Sequence, residues 1–170
     1  ASLEGLCGIP VKNRNIIRPL LCFSAKEIES HLLQNKWGWR EDTSNTSTHY
    51  QRNEIRLLQL PRLEKENPKI RKLLMQEITI NQQKYAKLQQ EVKRLFPIVW
   101  KKSNTHQEMN LNELLNHPQK EDLIYEFLKE YGPFSWQDVF TLMESESGKE
   151  IFNQHYRLIK NRSSILILIN

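Results

Sequence analysis

Between Asn67-Pro68 and Pro97 the apolar residues Leu74, Ile78, Tyr85, Leu88, Val92 and Leu95 recur at spacings of three and four, with Asn81 in the one polar slot. Only a helix gathers such spacings onto a single face. Asn67 supplies a capping side chain and Pro68 fits the first helical position, while Pro97 opposes continuation at the other end. A helix over 68–96 would be about 43 Å long at about 1.5 Å per residue. That is longer than the core of one 170-residue chain needs, so part of the seam should meet a second helix or a partner. Ile78, Tyr85, Leu88 and Val92 are the residues expected at that interface.

The rest of the chain is read around this rod. Residues 1–23 hold Pro10 and Pro19 and no sustained period, and read as an extended N-terminal arm. Residues 24–102 form a basic helical region: Ser24-Ala25-Lys26-Glu27 is a capping box ahead of a short helix, and Arg52 to Leu60 suits another. Residues 110–170 form an acidic lobe, with helix starts at Asn110, Pro118 and Ser135. A β-branched tail follows, in which 156–159 and 165–169 flank Asn161-Arg162-Ser163 as a hairpin. The expected fold is mainly α: a helical domain built on one long amphipathic helix, with a small acidic helical lobe and a C-terminal β-hairpin, winged-helix-like at most. In the recognition-helix position of such a wing stand Asp138, Glu144 and Glu146 without Lys or Arg. Carboxylates repel phosphates at short range, so Asp138 and Glu144 are expected to face protein.

Charge is distributed unevenly. Residues 52–102 hold thirteen Lys/Arg against five acids (+8), whereas 110–150 hold three against nine (−6). On the long helix Lys69, Lys72, Lys87 and Arg94 fall opposite the apolar seam, and Lys101 and Lys102 follow Trp100. Such a stripe suits a phosphate backbone, although ordinary solvation of a helix face produces the same pattern. Aromatic residues interleave with bases at Trp37-Gly38-Trp39-Arg40 and His49-Tyr50-Gln51-Arg52. Trp39 could stack on an unpaired base while Arg40 holds phosphate, or the tryptophans could plug a core beside the short helix.

Familiar chemistries are absent from the sequence. Cys7, Cys22, His31 and His49 lack the tight pairing of metal sites, and the scattered glycines build no phosphate loop. Glu91-Val92-Lys93 has a nuclease-like order but sits inside a helical pattern. No catalytic residue, metal or cofactor is therefore expected. The expected role is a non-enzymatic accessory subunit of a ribonucleoprotein-type assembly, contacting RNA or single-stranded nucleic acid through the basic helix face and protein subunits through the acidic lobe. A protein–protein scaffold using the heptad-like seam is the alternative, and an unrecognised enzyme the third. No apolar run reaches the roughly 20 residues of a membrane span. An intracellular location is expected, cytoplasmic or organellar after removal of a targeting peptide.

Overall fold

The computed structural model describes residues 2–40, 51–103 and 105–170, and these fall into two compact units, Gly5–Asn81 and Gln82–Asn170 with Ala1–Glu4. The stacking motif at His49 and Tyr50 lies outside the described residues.

In the first unit a two-stranded hairpin, β1 (Lys12–Asn13) and β2 (Ile16–Ile17), turns through Arg14 at φ 51°. Arg18 closes its base, donating from Nη1 to the Pro10 carbonyl at 3.0 Å and from its amide to Val11 at 2.8 Å. Helix α1 (Ala25–Gln34) begins with the expected capping box: the Glu27 amide donates to Ser24 Oγ at 3.2 Å, and the Ser24 amide to Glu27 Oε2 at 2.7 Å. The Ser24 backbone and hydroxyl contacts lower the Glu27 carboxyl below its ordinary value. Helix α2 (Gln51–Glu54), a π-helical turn (Ile55–Gln59) and α3 (Leu60–Glu66) then follow without a break. No large apolar side chain described in this unit is buried. Ile9, Ile17, Leu20, Phe23, Leu33, Trp37 and Trp39 are all exposed, so the tryptophans do not plug a core here.

The long helix, α4 (Ile70–Val99), begins after a turn in which the Lys69 amide donates to Asn67 Oδ1 at 3.0 Å. It runs through Pro97. Having no N–H, Pro97 loses the rung to the carbonyl four residues back, and the buried side chain of Val99 anchors the turn beyond it.

The second unit is organised by a sheet. Strands β3 (Trp100–Lys102), β4 (Gln107–Asn110), β5 (Glu150–Phe152), β6 (Tyr156–Asn161) and β7 (Ser164–Ile169) form one antiparallel sheet in the order β3-β4-β7-β6-β5. Helices α5 (Asn112–Leu115), α6 (Lys120–Leu128) and α7 (Trp136–Glu144) lie between β4 and β5 in the chain. Met109 pairs with Ile165 and Leu158 with Ile167, all buried. Onto this apolar row pack Leu88, Leu95 and Val99 of α4, Leu123, Ile124, Phe127 and Leu128 of α6, and Val139, Leu142 and Met143 of α7. Lys160 shares the row and is buried too; its ammonium reaches the Asn161 and Arg162 carbonyls at 2.7 and 2.8 Å.

A mainly α fold built on one long helix is therefore not what the chain adopts. The tail expected as a C-terminal hairpin is β6–β7, paired on both sides within a five-stranded sheet whose outer strands are β3 and β5. The winged-helix comparison lapses with it. β3, β4 and β5 are three or four residues long, and β4 buries only Met109, too little to display a period of two.

Candidate nucleic-acid interface

The cationic residues distribute over both units. In the first, Lys69, Lys72 and Arg40 are exposed, as is Trp39 at 45%. In the second, Lys87 is exposed on α4, and Lys101 and Lys102 are exposed on β3. Among the described residues no carboxylate lies within 4.0 Å of any of these five lysines. Arg94 differs, because its guanidinium holds Glu91 at 2.8 Å. That hydrogen bond raises Arg94 and lowers Glu91, and it leaves Arg94 less charge to offer a phosphate.

The apolar seam is divided as well. Leu88 is in the core at 1% exposure, with Tyr85 and Val92 packed against it, so the chain's own residues cover this part. Ile78, in the first unit, lies against Gly8, where a side chain at that glycine would meet Ile78 Cγ2 at 3.4 Å. Asp138 and Glu144 are exposed at the two ends of α7.

A feature that sequence reasoning missed lies where α4 passes directly into β3. A cleft of about 590 Å³ opens there, lined by Phe96, Trp100, Phe127 and Tyr131 together with Lys101, Lys102 and Gln107. Trp100 and Tyr131 stand 5.8 Å apart with planes at 32°, and Trp100 and Phe127 stand edge to face at 6.3 Å. Tyr131 is fixed from two sides: its hydroxyl donates to Gln107 Oε1 at 2.6 Å and its carbonyl accepts from Asn153 Nδ2 at 3.0 Å. Burial pushes its phenol up, keeping it neutral. Only the adjacency of Trp100 to Lys101-Lys102 is legible beforehand, since Phe127, Tyr131 and Gln107 arrive from α6, the turn after it and β4.

Of the two acids lining the cleft, Glu130 is exposed and Glu126 is held internally. Glu126, 4% exposed at its side chain, accepts from Lys129 Nζ at 2.9 Å and Gln89 Nε2 at 2.5 Å. Lys129 also reaches Glu4 at 2.9 Å and the Tyr85 hydroxyl at 3.4 Å. Burial alone would lower Lys129, but the hydrogen bonds to Glu4 and Glu126 outweigh it and hold the amine protonated well above its ordinary range. Among the described residues no group of three or more His, Cys, Asp or Glu converges to hold a metal, and no helix is long and apolar enough to cross a membrane.

Two family models match the chain in tandem. Residues 1–63 match the PP-loop domain and residues 102–169 match the TilS substrate binding domain. Several similar curated proteins carry the name tRNA(Ile)-lysidine synthase. The protein of Parabacteroides distasonis is 29% identical over 170 residues, covering 97% of this chain and 37% of its own length. That of Bacteroides thetaiotaomicron is 30% identical over 172 residues, covering 97% and 38%. That of Borreliella burgdorferi strain ZS7 is 49% identical over 63 residues, 37% of this chain and 14% of its own length. The expectation of a non-enzymatic accessory subunit of a ribonucleoprotein-type assembly, or of a mere scaffold, is overturned by these names, which are those of an enzyme, and by the PP-loop match. The chain spans a little over a third of the length of the Parabacteroides and Bacteroides relatives, and it is to that portion of tRNA(Ile)-lysidine synthases that nearly its whole length is similar.

Proposed function

We propose that the chain serves as the tRNA-holding portion of an ATP-using enzyme that makes lysidine in tRNA(Ile). The observation carrying this reading is the tandem order of the two family matches on one chain whose relatives align over 97% of it. The physical features agree with an RNA substrate. The exposed lysines 87, 101 and 102 have no carboxylate within 4.0 Å among the described residues, and phosphate neutralisation by such groups supplies most of the sequence-independent affinity for RNA. Lys69, Lys72, Arg40 and Trp39 are proposed as further contacts, with Arg94 a weaker one because Glu91 engages it. Asp138 and Glu144 are proposed to face protein, since two exposed carboxylates disfavour phosphate. As part of such an enzyme the chain would act inside the cell, where tRNA is.

Fluorescence anisotropy of labelled tRNA(Ile) transcript, titrated with the chain at several salt concentrations, tests the reading. Binding should weaken with salt at a log–log slope of about −0.7 to −0.9 per contacted phosphate, and changing Lys87, Lys101 and Lys102 together to Gln should flatten the slope by about 2. No binding at low salt, or an unchanged slope in the triple variant, would refute it.

A further inference from the structure

We infer that the aromatic cleft at the α4–β3 junction takes one unpaired nucleotide of the bound RNA, its base against Trp100 and its phosphate on Lys102. This rests on the proposed RNA substrate, and adds to it a particular subsite and a requirement for single-stranded character.

The pleat of β3 selects the residues. Facing residues on paired strands share a side of the sheet, and neighbours along a strand alternate. Trp100 pairs with the buried Met109 and Lys102 pairs with Gln107, so Trp100, Lys102 and Gln107 share the helix-covered side. Lys101 pairs with Glu108 and belongs to the other side, although it too borders the cleft. The aromatic wall, one ammonium and one amide thus converge. Tyr131 donates to the Oε1 of Gln107, leaving that amide's nitrogen as the donor for a base edge.

Charge and exposure then indicate the occupant. Phe96 is 55% exposed beside the half-buried Trp100, an apolar surface open to solvent at the rim of a basic edge strand. Lys129 divides its single positive charge between Glu126 and Glu4, so that cluster keeps one net negative charge, and the exposed Glu130 adds a second to the lining of the cleft. The phosphate is therefore confined to the Lys102 side. A paired base has both faces stacked on its neighbours within the duplex, so only an unpaired one can present a face to Trp100.

Ultraviolet crosslinking of the chain to tRNA(Ile), with the modified peptide located by mass spectrometry, is combined with affinities of variants. The expected crosslink is at Trp100 or Tyr131, competed by short oligoadenylate and not by a blunt RNA duplex. Trp100→Leu should weaken tRNA binding about ten-fold with an unchanged salt slope, while Trp100→Phe retains most of the affinity. Lys102→Gln should weaken binding more than Lys101→Gln. If wild-type chain binds tRNA but crosslinks elsewhere and Trp100→Leu binds as tightly, the subsite is wrong and the RNA reading stands. If wild-type chain does not bind tRNA at all, both fall.

Discussion

Replacing Lys129 by Met tests the claim that the second unit depends on an internal ion cluster. Lys129 touches two carboxylates in different settings. Its 2.9 Å contact to Glu4 involves a side chain that is 53% exposed, and exposed pairs contribute about 0–1 kcal/mol. Its 2.9 Å contact to Glu126 involves a carboxylate only 4% exposed, and removing one partner of a buried pair costs about 3–5 kcal/mol because a lone charge stays behind. Gln89 at 2.5 Å and Tyr85 at 3.5 Å still donate to that carboxylate, and Lys129 itself is 27% exposed, so a loss of about 2–4 kcal/mol is expected. Adding Glu126→Met should recover most of it, because no unpaired buried charge remains and Glu4 is exposed to solvent. The pH dependence has a definite sign. Lys129 is raised in the folded state, so its contribution is complete below the unfolded value of about 10.4 and drains away as pH rises through the folded value. Tyr85, pushed up chiefly by burial, loses stability in the same alkaline range, so Lys129→Met should reduce the decline without abolishing it. Urea unfolding followed by circular dichroism at neutral and alkaline pH measures both effects. A Lys129→Met protein within about 0.5 kcal/mol of wild type at neutral pH would refute the argument.

Other substitutions probe the frame of the cleft. Leu95→Ala removes a side chain 1% exposed in the core and should cost about 2–5 kcal/mol in urea unfolding. Asn153→Ala strips partners from the Tyr131 carbonyl and the His155 and Tyr156 amides, held at 3.0, 2.8 and 2.8 Å, and should cost about 2–3 kcal/mol while loosening Tyr131, visible as a changed aromatic circular dichroism signal. Gly132→Ala meets two penalties at once, φ of 96° and a new methyl 3.2 Å from that same anchored amide, and a melting temperature within error of wild type would contradict it.

What could be read beforehand was local. The capping box at Ser24 and Glu27, the helix starting after Asn67 and the turn near Asn161 each follow from a few adjacent residues whose chemistry is decisive alone. The sheet was not legible because its strands owe their pairing to distant partners: Gln107 to Asn110 carries almost no apolar signal and is a strand because β7 lies beside it. The cationic residues could be enumerated, but the pairing of Arg94 with Glu91 and the separation of Lys101 from Lys102 depend on rotamers and pleat. The similarity to an enzyme was hidden for a different reason. Gly5, Gly8 and Gly38 are the glycines of the stretch that matches the PP-loop domain, and their spacing forms no phosphate-binding loop.

That same stretch leads to a last prediction, about where stability resides. Local opening costs little where few apolar side chains are buried. Among the described residues of Gly5–Asn81 no large apolar side chain is buried, and α1 exposes Leu33 while the hairpin exposes Ile16 and Ile17. The second unit by contrast buries Met109, Leu158, Ile165 and Ile167 from adjacent strands under three helices. In hydrogen exchange of the whole chain, amides of β4, β6 and β7 should therefore exchange orders of magnitude more slowly than those of α1, which are held by the capping box and the helix ladder alone. Capping contributes about 1 kcal/mol, enough to favour the helix but not to protect it. Protection of α1 equal to that of β7 would mean that Leu33 of the helix and Ile16 and Ile17 of the hairpin are covered in solution, and the first unit would then have a core that these side-chain positions do not supply.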